Sequence, residues 1–228
     1  MTLPTAPGQQ TTEQPGGHHA RPRRQGERAA AGPDPGRQSP AGAYQIDPAH
    51  TFADFTAQHL VIGHVRGRFT QLTGQITVAE DLTQSAASVT IAAASIDTHV
   101  AKRDDDLRSA RYLDVTTYPA ITFASTRLTQ YPGNQWGLAG DLTIKNITRP
   151  VELMTQFTGA ATDNSGNAKV AFLAQARISR HDFGLTHELG TEAGSLLVRR
   201  DVTFSFAVEA IRTSTPPIRN ERPADKAA

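Results

Sequence analysis

The chain has 228 residues, with 23 Lys and Arg against 22 Asp and Glu, and a formal net charge of +1, so no overall field draws it to nucleic acid. It has no cysteine, which excludes disulfides, thiolate metal sites and cysteine nucleophiles. No run of about 18 apolar residues occurs, which excludes a membrane-spanning helix.

Residues 1–42 hold seven of the 14 prolines and seven of the 18 glycines, and no aromatic residue. Such a segment buries too little apolar surface to offset chain entropy, so a disordered N-terminal extension is expected. Its five arginines outnumber its three acids but are interrupted by Pro, Gly and Glu, the pattern of a solvated tail. It lacks the apolar core of a secretory signal, which makes the cytoplasm the expected location. Residues 213–228 are polar and Pro-rich, a second expected disordered tail. Residues 43–212 are then one folded domain, and they contain every Phe, Tyr and Trp.

Within that domain, period-two alternation predicts eight strands, over 44–59, 65–78, 89–97, 120–128, 135–145, 151–162, 168–180 and 197–211. Tyr131-Pro-Gly-Asn134 and Asp163-Asn-Ser-Gly-Asn167 supply turn chemistry between neighbours, and Pro150 is expected to start its strand. Residues 98–113 break the alternation. Read as a helix with Thr98 as its N-cap, they place Val100, Asp104, Leu107 and Arg111 on one face. Asp104 on an apolar stripe needs a partner.

Alternation also sorts faces. The inward set on the first strand is Ala53, Phe55, Ala57 and His59; on the third, Val89, Ile91, Ala93 and Ser95; on the fourth, Ile121, Phe123 and Ser125. The fifth contributes Trp136, Leu138, Gly140, Leu142 and Ile144, and the sixth Val151, Leu153, Thr155 and Phe157. The seventh contributes Val170, Phe172, Ala174, Ala176, Ile178 and Arg180, and the eighth Val202, Phe204, Phe206 and Val208. Large rings mixed with small residues leave interior volume that a ligand or water would occupy. The fold class is all-β and antiparallel; periodicity alone does not separate a barrel from two packed sheets.

Several motifs in order carry a family resemblance: Tyr44-Gln-Ile-Asp-Pro-Ala-His50, Gly67-Arg-Phe69, Ala94-Ser-Ile-Asp-Thr98 leading to Arg103-Asp104 and Leu107-Arg108-Ser109, Gly140-Asp-Leu-Thr-Ile144, Thr148-Arg-Pro-Val151 and Arg180-His-Asp-Phe-Gly184. In this order they resemble the YceI-like family of lipocalin-like polyisoprenoid-binding proteins, over about residues 44–210. Tyr44 stands where Trp is usual, Thr51 where Ser is frequent, and Asn146 at a corner where Gly is usual, as the residue that best tolerates a left-handed backbone after Gly. The resemblance implies an extended eight-stranded antiparallel barrel with one short helical insertion. It further implies a homodimer, an apolar tunnel for a long isoprenoid or quinone-like lipid, and no catalytic activity or resident cofactor. Transient membrane contact would suffice for loading.

The tunnel lining is then expected to be Phe55, Ala57, His59, Ile91, Ala93, Phe123, Trp136, Leu138, Leu142, Phe157, Phe172, Ala174, Ala176, Phe204 and Phe206. Arg180 either pairs with Asp104 as a structural ion pair or, with Arg103 or Arg108, holds an anionic head group. The segment 181–190 carries Phe183, Leu185 and Leu189 and is read as a plug or a lid. Alternatives are a haem- or metal-associated redox accessory using the histidines, and an enzyme acting on a bound lipid. His50 and His59 lie about 30 Å apart on a continuous strand and could not share an ion, and no Gly-x-Ser-x-Gly elbow is present.

Overall fold

The computed structural model describes residues 39–59, 63–187 and 198–213. The two expected tails, apart from residues 39–42 and 213, lie outside them.

Among the described residues, eleven strands form one antiparallel sheet. They are β1 (Gly42–Ile46), β2 (Phe52–His59), β3 (Gly63–Phe69), β4 (Leu72–Val78), β5 (Ala86–Ala92), β6 (Ile96–Asp97), β7 (Ala120–Tyr131), β8 (Gln135–Ile144), β9 (Ile147–Thr162), β10 (Ala168–Ser179) and β11 (Val198–Arg212). The order β1-β4-β5-β7-β8-β9-β10-β11 returns to β1, so eight strands close a barrel. β2, β3 and β6 extend it from the far part of β11.

The eleven arise from eight because the first three predicted strands are each broken. In the first, Asp47 folds the chain back: the Ala49 amide donates to Asp47 Oδ1 at 3.0 Å and the His50 amide to the Asp47 carbonyl at 3.3 Å. Pro48 cannot extend a ladder. β1 and β2 then lie one after the other along the same edge of β11, Tyr44 opposite Arg212 and Phe55 opposite Phe204. The break resets the phase of alternation, so Tyr44 and Ile46 are buried above it and Ala53 and Ala57 below it. Breaks at residues 70–71 and at the 3-10 turn Ala93–Ser95 divide the second and third strands in the same way.

Other boundaries differ too. The third strand begins at Ala86, and β7 runs on to Tyr131. Pro150 does not start a strand but lies inside β9, opposite Asp141 of β8. β10 pairs with β9 only as far as Met154, so this part of β9 has a strand on one side only, where Pro is tolerated. In the β8–β9 corner the positive φ of 56° belongs to Lys145 rather than Asn146.

Helix α1 (Ala101–Arg108) is shorter than predicted, and Thr98 is not its cap. The N-cap is Val100, which is exposed, as is Arg111 beyond the helix. Asp104 and Leu107 are buried as expected. The helix lies in the connection between β6 and β7, which do not pair. Leu107 of the helix and Leu113 of the turn after it fill the gap at the lower end, beside Phe183 and Leu185 from the chain after β10. The segment 181–187 is therefore a plug; Leu189 lies outside the described residues.

A β-bulge at Ser125/Arg127 shifts β7 against β8 and lets Gly140 approach the neighbouring backbone. A Cβ on Gly140 would lie 2.5 Å from the Ala124 carbonyl oxygen, whereas one on Gly159 would meet nothing within 4 Å. Gly140→Ala should cost about 1–3 kcal/mol by overpacking against backbone. Gly159→Ala should be neutral or stabilising by up to about 1 kcal/mol. Urea unfolding of both variants measures the contrast; equal stabilities would mean the bulge gives way freely.

Candidate functional site

The strands leave a cavity of about 320 Å³ inside the barrel. Its wall is apolar side chains from all eight strands of the ring, with β3 adding Phe69. Phe69, Ile144, Ile178 and Phe204 bound it towards the plugged end, while Leu82, Ser85, Gln130, Asn134 and Ser39 bound it towards the end formed by residues 79–85 and 132–134. Several lining residues, among them Leu138, Leu142, Phe172 and Phe206, are only half-buried although they point inward. They face space that no side chain fills.

Of the residues expected in the lining, Ile91, Phe123, Trp136, Leu138, Leu142, Phe157, Phe172, Ala174, Ala176, Phe204 and Phe206 border this cavity. Phe55, Ala57 and Ala93 do not. They belong to β2 and the 93–95 turn, below the closed ring, where Phe55 packs 5.8 Å from the Phe69 ring and 6.1 Å from Phe204. Ala57 and Ala93 are buried in that same floor. His59 pairs with Val198 through the backbone, and its side chain lies outside the described residues.

Sequence reading missed Ile46, Leu72, Ile76, Val78, Leu128 and Gln130, which also border the cavity. Leu72, Ile76 and Val78 alternate and were readable as an inward face. Leu128 and Gln130 were not, because the bulge after Ser125 moves the inward phase from odd to even numbers.

The expected Asp104–Arg180 ion pair is not made among the described residues. Asp104 Oδ1 accepts from the Thr98 amide at 2.9 Å and the Thr98 hydroxyl at 2.6 Å. Arg103 donates to Thr98 Oγ1 at 2.7 Å and to its carbonyl at 3.0 Å. Arg180 is buried and donates to the carbonyls of Leu185 at 2.5 Å, His187 at 3.2 Å, Val198 at 3.2 Å and Arg199 at 3.4 Å. Burial pushes the neighbouring Tyr112 phenol above its ordinary value, and the Arg180 guanidinium opposes that. Arg108 donates to the carbonyls of Ala94 at 2.9 Å and Ile96 at 2.5 Å. All three arginines sit at the plugged end holding backbone in place, and none borders the cavity.

A second polar cluster lies at the β1–β2 break. Asp47, His50 and Glu209 bring ligand atoms within 4.8 Å of one another. Lys169 Nζ lies 2.5 Å from Glu209 and 3.4 Å from Asp47, so a cation already balances the carboxylates. The hydrogen bond with His50 holds the Asp47 carboxyl below its ordinary range, and the bond to Glu209 raises the Lys169 ammonium above its own. The Thr51 hydroxyl exchanges hydrogen bonds of 3.2 Å with the Glu209 backbone. The cluster clamps the break onto β11.

A family model described as a YceI-like domain matches residues 44–210. The chain belongs to the YceI family. Protein YceI of Shigella flexneri is 36% identical over 175 residues, covering 75% of this chain and 88% of that protein. Protein YceI of Salmonella newport is 35% identical over the same span. Among solved structures, Burkholderia cenocepacia BcnA matches with a TM-score of 0.61 at 22% identity, over 72% of this chain and 98% of that one. A polyisoprenoid binding domain from Saccharophagus degradans, implicated in plant cell wall breakdown, matches with a TM-score of 0.55 at 16% identity, over 75% and 98%. At those identities the two structures speak for the YceI fold alone.

Because Arg180 and Asp104 have separate partners, their substitutions should act independently. Arg180→Met removes the donor from one buried and three part-buried carbonyls, at roughly 1–3 kcal/mol for each left unsatisfied. A double-mutant cycle with Asp104→Asn should show additivity within about 0.5 kcal/mol. A coupling energy well above that, read from chemical denaturation, would restore the ion pair.

Proposed function

We propose that the protein binds and carries a long-chain isoprenoid or isoprenoid-quinone lipid inside the barrel. The observation that carries this reading is the cavity of about 320 Å³, lined mostly by hydrocarbon and, among the described residues, by no ionisable side chain. That volume lies in the range of small-molecule sites, roughly 300–1,000 Å³. Family membership and the polyisoprenoid binding domain from Saccharophagus degradans support the same reading. Burial of each methylene is worth about 0.8 kcal/mol, so one isoprene unit has a ceiling of about 4 kcal/mol before ordering and association costs. Among the described residues the polar groups that border the space are Ser, Thr, Gln and Asn, a lining suited to binding.

The same proposal includes a homodimer. Phe52, Met154 and Leu173 are exposed on the outer face, and Leu173 and Phe52 stand in register on either side of Ala207. Arg68 with Asp54 and Arg177 with Asp201 place both charge signs beside this stripe, which suits a copy related by a twofold axis. Light scattering should give a dimer mass for the natural chain and a monomer mass for Leu173→Lys. A natural chain that is monomeric at all concentrations would end this part of the proposal.

Native mass spectrometry of the purified protein should reveal a bound lipid that extraction removes. Ala174→Phe places a ring into the cavity, so occupancy should fall severalfold while unfolding stability changes by less than the roughly 1–3 kcal/mol of overpacking a filled core. Unchanged occupancy with severe destabilisation would show that the position belongs to solid packing.

A further inference from the structure

Among the described residues, the polar side chains that border the cavity at its unplugged end are uncharged. Gln130 comes from the end of strand β7, Asn134 from the turn before β8, Ser85 from the end of the 79–85 connection and Ser39 from the chain entering β1. Ser39 Oγ is shielded from solvent and has no hydrogen-bond partner among the described residues. A buried hydroxyl without a partner costs free energy that a ligand oxygen would recover. The segment that carries it is fixed in place, since Tyr44 donates to the Pro40 carbonyl at 2.7 Å and Arg212 to the Ala41 carbonyl. Ser85 Oγ accepts from the Ala79 amide at 3.0 Å and keeps its own proton to donate. Arg212, a cation at this end, lies over the Tyr44 ring and does not border the cavity.

We propose that this rim, formed by Ser39, Ser85, Gln130 and Asn134, selects a lipid with an uncharged hydrogen-bonding head group, such as a ketone, alcohol or amide oxygen, and rejects an anionic head on the same tail. The proposal rests on the reading of the cavity as a lipid site. Amides and hydroxyls satisfy a neutral oxygen, whereas an anion drawn among them loses hydration without gaining a counter-charge.

Trp136 is the only tryptophan and borders the cavity, so its emission reports binding directly. Titrations would use geranylgeraniol, its diphosphate, and the matched hydrocarbon with no oxygen. The alcohol should bind at least about tenfold more tightly than the diphosphate. Gln130→Leu combined with Asn134→Leu should weaken the alcohol by about two- to tenfold per hydrogen bond lost and leave the hydrocarbon unchanged. Ser39→Ala should act in the same direction. A diphosphate that binds within twofold of the alcohol overturns the inference and leaves the lipid-site reading standing. No response to any of the three lipids overturns both. If the double variant does not fold, the comparison of the three lipids on the natural chain decides alone.

Discussion

One edge of β11 carries two partners, β1 above and β2 below, and most of the architecture follows from that sharing. Where β1 pairs, the ring closes and every strand is hydrogen-bonded on both sides. Where β2 takes over, the sheet continues through β3 to the two-residue β6 and stops, because β7 begins only at Ala120. An open edge and an open barrel end expose backbone and core together. The connection between β6 and β7 covers them with α1, and the chain after β10 adds Phe183 and Leu185 from the other side.

That asymmetry gives the barrel one solid end and one hollow one. In the floor the Phe55 ring packs tilted against Phe69 at 5.8 Å and Phe204 at 6.1 Å. Above them the wall mixes rings, aliphatic residues and alanines around unfilled space. A packed core would close such a void, since lining atoms without neighbours lose dispersion contacts. The ring of hydrogen-bonded strands resists collapse, so the volume persists.

The distribution of charge follows the same division. Arg103, Arg108 and Arg180 are the cations expected near a ligand head group, yet each directs donors to backbone or Thr98 in the plugged end, and Arg108 also lies 3.6 Å from Asp105. Irregular backbone leaves carbonyls without ladder partners, and a guanidinium can serve several at once. Buried arginine there is a substitute for strand pairing. At the hollow end Arg212 serves the Ala41 carbonyl in the same way but does not border the cavity, and the described side chains that do are neutral.

The chain's own pattern determined the all-β class, the positions of the last five strands, the helical insertion and most of the ring and alanine side chains that border the cavity, because period-two burial is local and each unbroken strand writes its own face. It also marked Asp104, Phe183 and Leu185 as residues that must be covered. Only the tertiary structure decided where alternation restarts. The Asp47 corner, the 70–71 and 93–95 breaks and the Ser125 bulge each shift phase by an odd step, and a side chain's direction beyond such a point depends on the neighbouring strand's register. That is why Leu128 and Gln130 were hidden, and why Phe55, Ala57 and Ala93 proved to be floor rather than wall. The partners of Arg180 were equally out of reach of the sequence. They are backbone carbonyls brought together by loop geometry, and a carbonyl has no residue type to announce it.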